Sequence, residues 1–416
     1  MSLYTLDIQV PREKSNSVLR LFQTDQGNGF DIISSNILYT DLNSSYYRLE
    51  IFSSANDTDQ IRTALKADYP DVQFRIREDM SLYERPLVDM QPRQSLEFKK
   101  SFMATSPAAV STVQKYMLPQ RSQLRDLKLT QSRIGLFSNG TALEKPHQIT
   151  VELERDQYLI SKHTGIQAFP LWMEAPNEEQ FIRAVASLAP NYFALRICGL
   201  DNHYALDIPE RISNLTDVPL IHAEHAETST VIAAVVKNAA RTHGVEIKEK
   251  SAAIIGLSSV GHGLSEALFA MGFARVYGID ADSRQLTRFE RTEGIATSLD
   301  HVYENADFVI IAPNYPVKLD ETRFKEGQII LSFTPDSIDR SNLASEVAGK
   351  SYQDHAPHPV FILPGLVAAM QKYDIPCITL DMRLKLIETL QVRDGLDQFL
   401  PIPTADLIRS QIQALG

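Results

Sequence analysis

The sequence predicts an α/β protein, and three observations carry that prediction. From Phe98 onward apolar strand-like runs alternate with helical stretches. Ser251-Ala-Ala-Ile-Ile255 runs straight into a glycine turn and a helix. The first 84 residues carry their own strand and helix order. At 416 residues the chain is long enough for two or three domains with sizeable cores. We place them at 1–84, a linker at 85–97, 98–228, 229–365, and C-terminal helices at 366–416 that pack back on the 98–228 domain.

In residues 1–84, Tyr4–Val10, Phe30–Tyr39, Tyr46–Phe52 and Val72–Arg77 read as strands. Ser15–Phe22 and Thr58–Ala67 read as helices, the second capped by Asp57. The order βαββαβ is that of a ferredoxin-like module, and it resembles the ligand-sensing ACT domains of metabolic enzymes. A pairing or packing module has the same order, so both readings stand. Pro86, Pro92 and the lack of periodicity between them suit a linker. Ile134–Phe137, Glu179–Leu188 and Tyr192–Ile197 then alternate as strand, helix, strand.

The strongest local signal follows Ile255. Gly256-Leu-Ser-Ser-Val-Gly261-His-Gly263 leads into the helix Leu264–Met271, then the strand Ala274–Ile279, then Asp280. Strand, glycine turn, helix, strand and acid make up a Rossmann unit that binds NAD(P). Gly256 permits the turn and Gly261 permits close helix packing. The free N–H groups of Ser258, Ser259 and Val260 face a pyrophosphate, and Asp280 faces the adenosine ribose. A 2′-phosphate would meet the charge of Asp280, so NAD is expected over NADP. Ser258 stands at the middle glycine position, which narrows the approach of a phosphate. Ala312 and Pro313 end one later strand, Thr334 ends another, and all three complete the expected cofactor set. A Rossmann fold that no longer holds a nucleotide remains the alternative.

Composition removes several function classes. A net charge of -11 argues against nucleic acid or an anionic membrane as partner. No apolar run reaches the length of a membrane span, and the N-terminus lacks a signal-peptide pattern. Cys198 and Cys377 are too few for a disulfide framework, so a cytoplasmic protein acting on a small-molecule metabolite is expected.

His222-Ala-Glu-His-Ala-Glu227 is the chemically richest stretch, set between the strand Val218–Ile221 and the helix Thr228–Ala240. His222, Glu224 and His225, with Cys198, form a candidate metal set whose donors suit Zn²⁺ better than Mg²⁺. His203, His355 and His358 could join it. The other reading has these side chains capping the helix or pairing with one another on a solvated surface.

Residues 98–390 resemble bacterial malic enzymes, two-domain proteins that use NAD(P) and a divalent metal to oxidise and decarboxylate malate. Asp126-Leu-Lys-Leu, Ser138-Asn-Gly-Thr-Ala-Leu143, Gly165-Ile-Gln-Ala-Phe-Pro170, Val218–Ala240 and Leu363-Pro-Gly365 occur in that family's order. The resemblance implies the family's N-terminal α/β domain, a Rossmann domain and a homodimer. Residue by residue, it also implies a changed site. Thr105 stands where the family has its tyrosine acid. Asp156 stands where it has its lysine base, reversing the charge there. Cys198-Gly199 replaces its metal-binding Glu-Asp pair, and its downstream metal aspartate falls on Ala223 or Glu224, so at best Glu224 remains of three metal carboxylates. The divalent metal is therefore doubtful, and ordinary malate decarboxylation is not expected. Two functions follow: a divergent NAD-dependent oxidoreductase on a small polar metabolite, or a non-catalytic relative that senses NAD(H) or a metabolite.

Overall fold

The computed structural model describes residues 2–11, 30–40, 44–53, 66, 73–78, 107–108, 110–111, 132–175, 177–201, 205–313, 315, 317–320, 323–334, 358–392, 400–401 and 403–416. Thr105, His203, His355, the linker 85–97 and the helix expected at Ser15–Phe22 lie outside the described residues, as does all but Lys66 of the helix expected at Thr58–Ala67. The chain divides into two units, Met1–Leu87 and Val88–Gly416.

The first unit holds β1 (Ser2–Pro11), β2 (Phe30–Thr40), β3 (Ser44–Ser53) and β4 (Gln73–Glu78). They form one antiparallel sheet in the order β2-β3-β1-β4, with β1 between its two partners. This order and direction are those a βαββαβ ferredoxin-like chain requires. Alternation along β1 buries Leu6 and Ile8.

The second unit contains two parallel sheets. One runs β6-β5-β7-β8, from β5 (Arg133–Ser138), β6 (Gln167–Trp172), β7 (Ala194–Ile197) and β8 (Leu220–His222). Helices α1 (Ile149–Thr164), α2 (Glu178–Leu188) and α3 (Asp207–Ser213) connect these strands. Phe181, Ile182, Ile208 and Ile212, from α2 and α3, pack on the Leu195 and Ile197 side of β7. Leu153 and Ile160 of α1 join the core on the other side, with Ala194 and Cys198. A strand covered on both faces reads as a continuous apolar run, and β7 does so except for one residue, Arg196.

The chain then makes a π-helical turn, Ala223–Thr228, before α4 (Ser229–Thr242). The helix expected from Thr228 is thus preceded by a wound segment, which opens one residue after β8. Small residues let α4 bury nearly its whole surface: Val231 through Val236, Ala239 and Ala240 are all in the core.

The second sheet follows. β9 (Ser251–Ile255), β10 (Arg275–Ile279), β11 (Ile295–Ala296), β12 (Phe308–Ile311) and β13 (Ile329–Ser332) pair in the order β11-β10-β9-β12-β13, all parallel. This is the Rossmann order, with the topological switch between β9 and β12. Helix α5 runs from Ser259 to Met271, five residues earlier than the apolar pattern placed it. Gly261 and Gly263 are therefore helical, and they serve close approach. A Cβ on Gly261 would collide with the Gly256 carbonyl oxygen, and one on Gly263 with the His225 carbonyl oxygen. Helices α6 (Ser283–Glu290) and α7 (Leu299–Asn305) complete the crossovers.

Three C-terminal helices, α8 (Leu363–Tyr373), α9 (Leu380–Thr389) and α10 (Ala405–Leu415), close the unit. Helix α8 packs on α1, and α9 packs on α4 and α5. Among the described residues no helix is long and apolar enough to cross a membrane.

Candidate functional site

Two places carry the site: the glycine turn after β9 and the π-helical turn after β8. They abut, because Gly263 of α5 lies against the His225 carbonyl.

At the first, Gly256 adopts φ +102°, a left-handed conformation that glycine alone takes without strain. Ser258 is the N-cap of α5 but its side chain makes no capping bond, and the buried hydroxyl of Ser259 has no hydrogen-bond partner. The start of α5 thus keeps open polar groups, which suits an anionic ligand. Asp280 follows β10 and is already engaged. Its Oδ2 accepts the Leu257 N–H at 2.7 Å and its Oδ1 the Asp282 N–H at 2.8 Å. Ala312, Pro313 and Thr334 gather at the carboxyl edge of the sheet. The Ala312 N–H donates to Ile255 O (2.9 Å), and Thr334 Oγ1 donates to Ala312 O (2.6 Å). Gly256, Ser258, Asp280, Ala312, Pro313 and Thr334 therefore lie just past β9, β10, β12 and β13, and Ser259, Val260 and Gly261 open α5. These residues fit the phosphate and ribose end of a dinucleotide.

At the second, the six residues from His222 to Glu227 are spread in different directions by the π turn. Such turns recur at functional sites because they re-aim side chains. The His222 and His225 rings stack with centroids 5.9 Å apart and 13° between planes. His225 Nε2 lies 3.3 Å from Glu266 Oε1 on α5. Burial holds His225 below the usual histidine range, against the pull of Glu266. Glu224 Oε1 accepts the Gly199 N–H at 2.6 Å. Its Oε2 is 3.4 Å from His222 Nε2, near enough for attraction but not aligned as a hydrogen bond. Both of those atoms are buried without a hydrogen-bond partner. Burial raises the Glu224 carboxyl, but His222 and the Gly199 N–H outweigh it and hold the group below its ordinary value.

Glu227 turns the other way, into the core. There Arg196, the exception in β7, donates Nε to both Glu227 oxygens (3.0 and 3.1 Å) and Nη2 to Oε2 (2.8 Å). Its Nη1 donates to Asp156 Oδ2 on α1 at 2.7 Å, and Asp156 Oδ1 accepts from Arg155 Nε at 2.8 Å. Asp156, Arg196 and Glu227 are all buried. Desolvation opposes the charge of Arg196, yet the two carboxylates raise its pKa well above the ordinary value. Burial pushes Glu227 up despite the guanidinium. Arg196 is therefore the fixed cation of the group.

This arrangement corrects two expectations. Asp156 was expected to reverse the charge of a cleft; instead its charge is spent on Arg155 and Arg196 inside the core. Cys198, Glu224, His222 and His225 were a candidate metal set. Among the described residues no group of three or more His, Cys, Asp or Glu side chains could hold a metal ion. His225 faces Glu266, Glu224 is tied to Gly199, and burial pushes the Cys198 thiol far above its normal value, keeping it protonated. A hard divalent cation, which needs several free oxygens, does not fit these donors. His358 stands apart from the pair: its Nδ1 accepts the Val360 N–H at 3.1 Å as the cap of a 3-10 turn.

Sequence reasoning missed three residues. Arg196 was signalled only by a charge within an apolar strand. Arg383 of α9 is buried, with Nε on Thr230 Oγ1 (3.1 Å), Nη2 on Ser229 Oγ (2.9 Å) and Gly263 O, and Nη1 on Glu266 Oε2 (2.9 Å). It ties the C-terminal helices to the seam between α4 and α5. Tyr315 packs on Gly256 and had no sequence signal.

Comparison with known proteins agrees with this architecture. Residues 218–322 match the family described as D-isomer specific 2-hydroxyacid dehydrogenase, NAD binding domain. NAD-dependent malic enzyme 1 of Bacillus subtilis is 23% identical over 284 residues, covering 68% of this chain and 64% of that enzyme. The NADP-dependent malic enzyme of Rhizobium meliloti is 19% identical over 218 residues, covering 50% of this chain and 28% of that enzyme. The chain thus spans less than two thirds of the length of either relative. The crystal structure of NAD-dependent malic enzyme from Thermotoga maritima superposes with a TM-score of 0.68 at 16% identity, covering 82% of this chain and 99% of that one. Malic enzyme from Pyrococcus horikoshii gives 0.65 at 16% identity, covering 79% and 85%. The chain resembles malic enzymes in sequence and shares their fold, with a Rossmann-type NAD-binding domain.

Two outcomes test the site. Arg196→Met leaves Glu227 buried without its cation and Asp156 with Arg155 alone, and is expected to cost about 3–5 kcal/mol. Denaturant unfolding reads this, and adding Glu227→Gln to Arg196→Met should recover part of the loss. The second concerns His358, which burial and the charge of Arg155 push down to about 4, against Asp156. A depressed histidine stabilises the fold fully above its unfolded value near 6.5. That stability is lost as pH falls from about 6.5 toward about 4. Calorimetric melting should show a flatter fall for His358→Gln than for the wild type over that window.

Proposed function

We propose that the protein is a divergent NAD-dependent oxidoreductase of the malic enzyme type. It acts on a small polar metabolite that carries a hydroxyl group, without metal-assisted decarboxylation of malate. The observation that carries this reading is the buried pair His222 Nε2 and Glu224 Oε2, 3.4 Å apart and without hydrogen-bond partners, next to the helix that starts at the glycine turn.

The physical case is as follows. Buried polar atoms without partners are costly, and they persist where a ligand supplies the missing bonds. A substrate hydroxyl set against this pair would lose its proton to one of the two atoms as its carbon is oxidised. When bound, the nicotinamide supplies the hydride acceptor for that carbon. Glu224 is held ionised by His222 and the Gly199 N–H, so it arrives at neutral pH ready to accept a hydrogen bond. NAD is favoured over NADP because the Asp280 carboxylate repels a 2′-phosphate, and its oxygens already hold the Leu257 and Asp282 N–H groups.

The same structure also supports a second reading, in which the chain binds NAD(H) as a sensor and turns nothing over. Its support is the Asp156–Arg196–Glu227 group, which fills with internal ion pairs the place where the malic-enzyme resemblance puts a lysine base.

Turnover separates the two. Wild type and His222→Gln are incubated with NAD⁺, a chelator and a panel of small hydroxy acids, and NADH absorbance is followed. The oxidoreductase reading expects NADH from at least one acid, insensitive to the chelator and at least about a hundredfold slower in His222→Gln. NAD⁺ binding without NADH from any acid supports the sensor reading. Malate turnover abolished by the chelator contradicts both.

A further inference from the structure

Tyr315 lies just past β12, where two contacts fix its side chain and one its backbone. Its ring covers Gly256, just past β9: a Cβ built there would stand 2.8 Å from Cδ2 and 2.9 Å from Cγ of the ring. Its hydroxyl accepts the Ala281 N–H at 3.0 Å, next to Asp280 and just past β10. Its backbone N–H donates to Thr334 Oγ1 at 3.1 Å, just past β13. One aromatic side chain therefore spans the carboxyl edge of the Rossmann sheet at its topological switch. Open α/β sheets take their ligands at this place.

The ring and a nucleotide would compete for the same ground. Gly256 makes the turn that carries the backbone to the phosphate position at Ser258, and the tyrosine ring is already in contact with it. The corner between Asp280 and Gly256 is where an adenosine ribose would sit, and the phenol has taken the neighbouring Ala281 N–H. Burial and the charge of Asp280 raise the Tyr315 pKa, so the hydroxyl stays protonated and neutral beside that acid. Tyr315 is only half-buried at the edge of the core, and its hydroxyl bond is to a single backbone N–H, so turning the ring out gives up some apolar packing and one hydrogen bond.

We infer that Tyr315 is the gatekeeping residue of the dinucleotide site: its ring occupies the adenosine end of the cleft, and a dinucleotide binds by turning it out. This rests on the reading that the glycine turn takes a dinucleotide. Affinity for the nucleotide is then reduced by the fraction of molecules in which the ring is in place.

The test measures NAD⁺ binding by calorimetry to wild type, Tyr315→Phe and Tyr315→Ala, and nitration of Tyr315 by tetranitromethane with and without NAD⁺. The inference expects Tyr315→Ala to bind about tenfold tighter than wild type or more. Tyr315→Phe, which loses only the bond to Ala281, should fall between them. Nitration of Tyr315 should rise when NAD⁺ is added, because the ring is turned out. Binding by Tyr315→Ala but not by wild type would support it most strongly. Equal or weaker binding by Tyr315→Ala, or protection of Tyr315 from nitration by NAD⁺, would overturn the gate and leave the nucleotide site standing. No binding by any form would remove the nucleotide reading, and the gate with it. If Tyr315→Ala does not fold, Tyr315→Phe and the nitration result decide.

Discussion

A guanidinium buried in a parallel sheet must be neutralised where it stands, and Arg196 sets that requirement for the second unit. Desolvating one charge costs several kcal/mol, so the structure has to bring carboxylates to it. It does so from two directions: Asp156 comes from α1, and Glu227 comes from the π turn after β8. Meeting Arg196 fixes the facing of α1, the end of β8 and the start of α4 together. The gain is in position rather than in stability. Well-packed apolar residues of similar volume would serve stability about as well, whereas the loss of one ion alone is severe.

That constraint explains how the His222–Glu227 stretch is deployed. Glu227 must point inward to reach Arg196. The π turn lets it do so while Glu224 points back to the Gly199 N–H and His225 points across to Glu266. His222 Nε2 and Glu224 Oε2 are then left facing each other at 3.4 Å, both atoms buried and neither in a hydrogen bond. Arg383 holds the other side of the seam, joining Ser229, Thr230, Gly263 and Glu266. The glycine turn and the polar pair are thus parts of one packed seam between α4 and α5, with Gly263 making their close approach possible.

The fold was largely legible in the sequence, because local signals determine it. Alternating strands and helices, the glycine turn and Asp280 all follow from nearest-neighbour patterns. The site was legible in part. The residues of the His222–Glu227 stretch were visible, but their directions depend on a π turn that has no sequence signature. Asp156 was placed in the cleft by the malic-enzyme resemblance; its partner Arg196 lies 40 residues away, and no local pattern joins them. Helix α5 was expected to begin at Leu264, with Gly261 already read as a close-packing position. The like role of Gly263 shows only once α5 meets His225. Tyr315 carries no motif at all; its position follows from the ends of three strands.

This chain balances the charges of its site internally, with Arg196 as the cation. Titration of the purified protein with Mn²⁺, with and without NAD⁺, reads this through the free ion followed by electron paramagnetic resonance. No stoichiometric tight site is expected under either condition. One Mn²⁺ bound per chain, lost on Glu224→Gln, would contradict it.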